Sequence, residues 1–97
     1  MTIREVNPKD VPAEAIIIDV REPEEFAEVA AANARLVPLA TVPENLDVFS
    51  REEDNYIICR SGARSARAVE YLEAQGIPAI NIAGGTLAWV DAELPTA

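Results

Sequence analysis

The apolar positions of the chain fall into short runs separated by helical stretches. Ile3–Val6 has the pattern of a short strand, and Asn7-Pro8 and then Asp10-Val11-Pro12 break it into turns. Ala15–Asp19 (AIIID) is a β-branched run with few polar interruptions, the composition of a strand covered on both faces, as in a parallel sheet. Pro23 stands where a helix begins. Glu24 and Glu25 occupy its first turn, where acidic side chains suit the positive end of the helix dipole. Phe26, Val29 and Ala30 give this helix a short apolar face. Leu36–Leu39 is a second candidate strand, kept short by Pro38. Pro43–Phe49 has the spacing of a short helix with Leu46 and Phe49 inward, and Ser50–Asn55 (SREEDN) that of a solvated loop. Tyr56–Cys59 is the next strand. Arg64–Gln75 is the clearest helix, with Ala66, Ala68, Val69 and Leu72 on one face and Gly76 placed for a left-handed C-cap. Ala79–Ile82 is another strand, and Gly84-Gly85 turns into a last helix over Thr86–Ala92, ended by Leu94-Pro95. This alternation predicts an α/β fold around a mainly parallel sheet.

Size and charge narrow the function. A chain of 97 residues, 49% hydrophobic, is expected to be one domain over residues 1–97 and is too apolar for disorder. Seventeen acidic residues against eight basic ones, a net charge of -9, argue against a nucleic-acid footprint and against docking on anionic membranes. No apolar run approaches the ~20 residues of a membrane span, and MTIREVNPKD lacks a signal peptide's apolar core. The expected compartment is the cytoplasm. One cysteine allows no intramolecular disulfide and no cysteine-rich zinc cage. The absence of histidine excludes Cys–His and Ser–His–Asp chemistry within the chain, along with imidazole-ligated metals. No metal and no cofactor is expected.

The candidate chemistry lies at Cys59-Arg60-Ser61-Gly62-Ala63-Arg64-Ser65, between an apolar strand and the best helix. A loop entering a helix at the carboxyl end of a strand can aim several backbone N–H groups at one point, which attracts an anion. Gly62 supplies the backbone freedom for a tight curl. Arg60 and Arg64 raise the local potential, so a thiolate at Cys59 is stabilised and its pKa is expected below the free value of about 8.5. A lone cysteine at a strand end is more often a small core hydrophobe. One glycine and two arginines within five residues favour the functional reading. Arg60 is equally readable as a solvated loop residue, and Arg67 as a surface partner of Glu70 or Tyr71.

At these residues the chain resembles the rhodanese-like family, in its short single-domain members. The resemblance runs over Ile18-Asp19-Val20-Arg21-Glu22-Pro23-Glu24-Glu25-Phe26, Val37-Pro38-Leu39, and Tyr56 through Ser65. It continues through Ala66-Arg67-Ala68, Leu72, Gly76 and Asn81-Ile82-Ala83-Gly84-Gly85, and closes on Ala88-Trp89 and Leu94-Pro95. It implies a three-layer sandwich, a mainly parallel sheet of about five strands with helices on both faces. It also implies a sulfurtransferase. Cys59 would take the outer sulfur of a small anionic donor, thiosulfate or a persulfide, as a cysteine persulfide. It would then pass it to a thiol or cyanide acceptor, or to a protein acceptor, with ping-pong kinetics. Residues Arg60, Ser61, Gly62, Ala63, Arg64 and Ser65 would hold the persulfide and the donor's anionic end. Asp19 and Arg21 match the family's Asp-x-Arg pair, with a structural ion pair beneath the loop favoured over substrate contact. Trp89 would pack in the core. One departure stands out: the family's Gly-His-Ile-Pro-Gly-Ala turn is replaced by Val29-Ala30-Ala31-Ala32-Asn33-Ala34. Because alanine is the strongest helix former, the first helix is expected to run to Ala32 with Asn33 as its left-handed cap.

Two other classes compete. Related phosphatases and arsenate reductases place five residues between Cys and Arg, whereas four, Arg60 to Ala63, lie between them here. A binding module, or a persulfide carrier with incidental thiosulfate activity, would use the same fold and an acidic surface suited to a basic partner. A sulfur-moving catalyst of this kind needs its sulfur reachable from solvent and ringed by inward-pointing main-chain donors.

Overall fold

The computed structural model describes residues 2–97. Five strands and three α-helices follow in the order β1 (Glu5–Val6), β2 (Ile16–Asp19), α1 (Pro23–Glu28), β3 (Arg35–Leu36), β4 (Asn55–Ile58), α2 (Ala63–Ala74), β5 (Ala79–Ile82) and α3 (Gly85–Asp91). All strand pairs are parallel, in the spatial order β1-β5-β4-β2-β3. The three-layer α/β architecture expected from the alternation is therefore present.

The three central strands are mostly apolar because both faces are covered. Side chains alternate across a strand, so Ile18 and Ile57 join one cluster with Val69 and Leu72 of α2, while Ile17 and Ile58 join the other with Trp89 of α3. Trp89 is 6% exposed and its indole N–H donates to the Pro95 carbonyl at 2.7 Å. Cys59 keeps the alternation and lies on the α2 side. Asn55, expected in the loop, instead opens β4 as a buried residue. Its amide donates to the Ser50 and Pro78 carbonyls, both at 2.8 Å.

Two local expectations are corrected. Residues 43–49 do not form an α-helix. They lie in two 3-10 turns, Leu39–Glu44 and Leu46–Val48, with Pro43 lacking the N–H an α-helical turn would use. The first helix does not reach Ala32; it stops at Glu28, and Val29 is extended at φ -163° and ψ 141°. The alanines leave the helix because the C-terminal tail competes for their backbone. Ala31 bridges Thr96, Ala32 N–H donates to Pro95 at 2.9 Å, and Ala97 N–H donates to Ala30 at 2.9 Å. Ala30 and Ala31 are 2% and 1% exposed, so small side chains are needed where tail and sheet meet. Asn33 does adopt the left-handed conformation, φ 68°, but in the turn before β3 rather than as a helix cap.

Candidate active site

The carboxyl ends of β2 and β4 lie side by side, with Asp19 paired to Ile58. Each continues into one part of the site: β2 into Arg21 and α1, β4 into the loop 59–62 and α2.

Asp19 and Arg21 form a buried ion pair. The Arg21 guanidinium donates from Nη2 to Asp19 Oδ2 at 2.7 Å and from Nε to both carboxylate oxygens, at 2.9 and 3.0 Å. It also donates to the Val29 carbonyl at 2.8 Å and the Glu25 carbonyl at 3.2 Å. With exposures of 0% and 3%, the pair stitches the end of β2 to the end of α1 through the Glu25 and Val29 carbonyls. That is the structural role favoured from the sequence.

The loop curls around the sulfur. Gly62, at φ 111°, takes a backbone conformation that residues with a Cβ rarely adopt, and its N–H donates to Cys59 Sγ at 3.1 Å. The Ser65 hydroxyl donates to the same sulfur at 3.2 Å. Burial pushes the thiol pKa up, but hydrogen bonds from the Ser65 hydroxyl and from the Ser65, Gly62 and Ser61 amides outweigh it. The net result is a thiol held below its ordinary value. Of the two features required of the site, the inward ring is present. Open access is not: Cys59 is 1% exposed. Arg60, Ser61 and Ala63 face solvent, while Cys59 packs into the core cluster with Val69 and Leu72 of α2.

Helix α3 fixes the outer side of the loop. The Cys59 carbonyl accepts from Thr86 N–H at 2.8 Å and the Thr86 hydroxyl at 3.1 Å, and the Arg60 carbonyl accepts from Leu87 N–H at 3.2 Å. Gly85 permits this approach, since a Cβ there would lie 2.4 Å from the Cys59 oxygen and 2.6 Å from the Arg60 carbonyl. On the inner side, Asn81 of β5 donates to the Gly62 carbonyl at 3.3 Å and to Glu5 at 2.9 Å, leaving its own Oδ1 buried without a partner.

The two loop arginines differ. Arg64 is not turned onto the sulfur. It forms a two-pronged ion pair with Glu25 of α1, at 2.7 and 2.8 Å. The Arg64 guanidinium, together with the Glu22 N–H, holds the Glu25 carboxyl at about 2. Among the described residues, the Arg60 guanidinium has no ion-pair partner, and it borders a small cavity with Glu25, Glu28 and Leu87. Arg67 forms no salt bridge with Glu70 among the described residues. Glu25, Asn81 and Thr86 were missed from the sequence. Only Asn81 carried a signal there, as the one polar residue in the apolar run Ala79–Ile82.

A family model described as the rhodanese-like domain matches residues 5–92. The chain belongs to the rhodanese-like family. The YtwF protein of Bacillus subtilis is 38% identical over 76 residues, covering 78% of this chain and 74% of that one. A protein of Allochromatium vinosum named as a sulfurtransferase is 35% identical over 83 residues, covering 84% and 78%. The crystal structure of a rhodanese-related protein from Thermoplasma volcanium superposes with a TM-score of 0.90 at 30% identity, covering 97% of each chain. In this rhodanese-like chain no helix of the described residues is long and apolar enough to cross a membrane.

Proposed function

We propose that the protein is a sulfurtransferase that carries sulfane sulfur as a persulfide on Cys59. The observation that carries this reading is the thiol lowered by a ring of main-chain and hydroxyl donors at the end of β4. A thiolate is the nucleophile in such chemistry. The Cys59 thiolate attacks the terminal sulfur of a donor, thiosulfate or a persulfide. A new S–S bond forms to Sγ, and the donor's own S–S bond breaks. Sulfite or a thiolate leaves with the electron pair. In the second step an acceptor thiolate or cyanide attacks the outer sulfur and returns Cys59 as a thiolate. The amides of Ser61, Gly62 and Ser65 hold negative charge throughout, as an oxyanion hole does. Donor access requires the curl to part over Sγ, because the thiol is covered at rest. The pairing of Arg64 with Glu25 also weighs against phosphate-ester chemistry, which would use that guanidinium on the substrate.

Mass spectrometry after exposure to thiosulfate tests the proposal. A gain of one sulfur atom, removed by cyanide and absent in Cys59→Ala, supports it. An unchanged mass after both thiosulfate and an organic persulfide, in a protein whose Cys59 is verified as reduced, overturns it.

A further inference from the structure

Three cations reach the loop: Arg21, Arg60 and Arg64. Two of them are matched by a carboxylate. Arg21 is committed to Asp19 in a buried pair, and Arg64 is held in both prongs by Glu25. Arg60 borders a cavity of about 190 Å³ whose wall includes Glu25 and Glu28 together with the apolar side chains of Val29 and Leu87. Thr86, which binds the Cys59 carbonyl, also lines it, so the cavity abuts the loop. Leu87 is 51% exposed, one of two large apolar side chains left on the surface among the described residues. The charges around the loop, three guanidiniums against Asp19, Glu25 and Glu28, therefore nearly balance, and the chain as a whole carries -9. A dianion meets backbone dipoles there but no uncompensated guanidinium beyond Arg60, and it meets two carboxylates at the cavity wall. A donor with one negative charge and an apolar group avoids that repulsion and gains contact with Val29 and Leu87.

We propose that Glu25 sets donor choice: by occupying Arg64 it turns the site away from dianionic thiosulfate and toward monoanionic donors with an apolar substituent, the class of organic persulfides and thiosulfonates. This rests on the sulfurtransferase reading above. Both donor types react with balanced charge. Thiosulfate gives Cys59 one sulfur and releases sulfite; an organic thiosulfonate gives the same sulfur and releases a sulfinate.

Thiosulfate and methanethiosulfonate are near-isosteric donors that differ by one charge, and kcat/KM for each tests the idea in the wild type and in Glu25→Gln. Glutamine at this position still accepts from the Glu22 N–H, so the cap of α1 survives the change. The expected result is that Glu25→Gln raises the ratio of thiosulfate to methanethiosulfonate kcat/KM about tenfold, a moderate effect for a partly exposed charge. Glu14→Gln, the same charge change at the opposite end of the sheet, leaves the ratio within twofold. Added salt should also narrow the wild-type preference, a measurement that needs no variant. A ratio unchanged in Glu25→Gln, or one insensitive to salt, overturns the charge proposal even where both donors load Cys59. Failure of both donors to place sulfur on Cys59 by mass spectrometry overturns the sulfurtransferase reading itself.

Discussion

Replacing Gly85 with alanine should disable the loop from outside it. The added Cβ would lie 2.4 Å from the Cys59 oxygen and 2.6 Å from the carbonyl carbon and oxygen of Arg60. Ordinary contact begins near 3.4 Å, so the two peptides must retreat by about 1 Å. They are the peptides held by Thr86 and Leu87, at 2.8, 3.1 and 3.2 Å, and retreat breaks those bonds. Gly85 also sits at φ 59°, where a residue with a Cβ costs about 1–2 kcal/mol. With overpacking added, the expected destabilisation is about 2–4 kcal/mol, which a domain of ordinary stability survives. A displacement near 1 Å at the reacting atom costs on the order of a hundredfold in rate. Gly84→Ala is the matched control: its Cβ would meet Ala88 Cβ at 2.6 Å and neither the Cys59 nor the Arg60 carbonyl. Thermal unfolding should fall for both variants, whereas sulfur-transfer kcat/KM should collapse only in Gly85→Ala. Equal kcat/KM in the two variants would refute the claim that α3 holds the loop in register.

Three further outcomes are expected. Ser65→Ala removes the 3.2 Å hydroxyl bond to Sγ and should raise the Cys59 pKa, read as an upward shift in the pH midpoint of alkylation. Arg21→Ala leaves Asp19 buried and unpaired and should cost about 3–5 kcal/mol in denaturant unfolding, with Arg21→Lys rescuing little because one ammonium cannot replace the fork. Glu25 has a folded-state pKa of about 2, below its unfolded value of 4.5, so its contribution is complete above the higher value and fades as pH falls toward the lower. Acid unfolding of Glu25→Gln should lack that slope, a difference below about 1 kcal/mol for a surface pair.

Much of the sheet and the curl around Cys59 were legible in the sequence because each depends on neighbours in the chain. Runs such as Ile16–Ile18 and Tyr56–Ile58 are apolar on both faces only where a sheet is covered twice, and Gly62 between Cys59 and Ser65 marks a curl. What escaped depends on partners far along the chain. The alanines at 30–32 are strong helix formers locally, yet residues 95–97 claim their backbone in the fold. Arg64 has the position of a substrate ligand, and only the fold shows Glu25, 39 residues away, holding it. The burial of Cys59 was likewise hidden, since it joins a core cluster with residues distant in the chain, Val20 and Val37 among them.

The most direct test of this balance between burial and donor ring is the pH dependence of Cys59 alkylation by a small reagent such as iodoacetamide. A midpoint below the free-thiol value of about 8.5, moving upward in Ser65→Ala, supports a thiolate held by the loop. A midpoint at or above that value would mean that burial wins and that Cys59 is a core thiol.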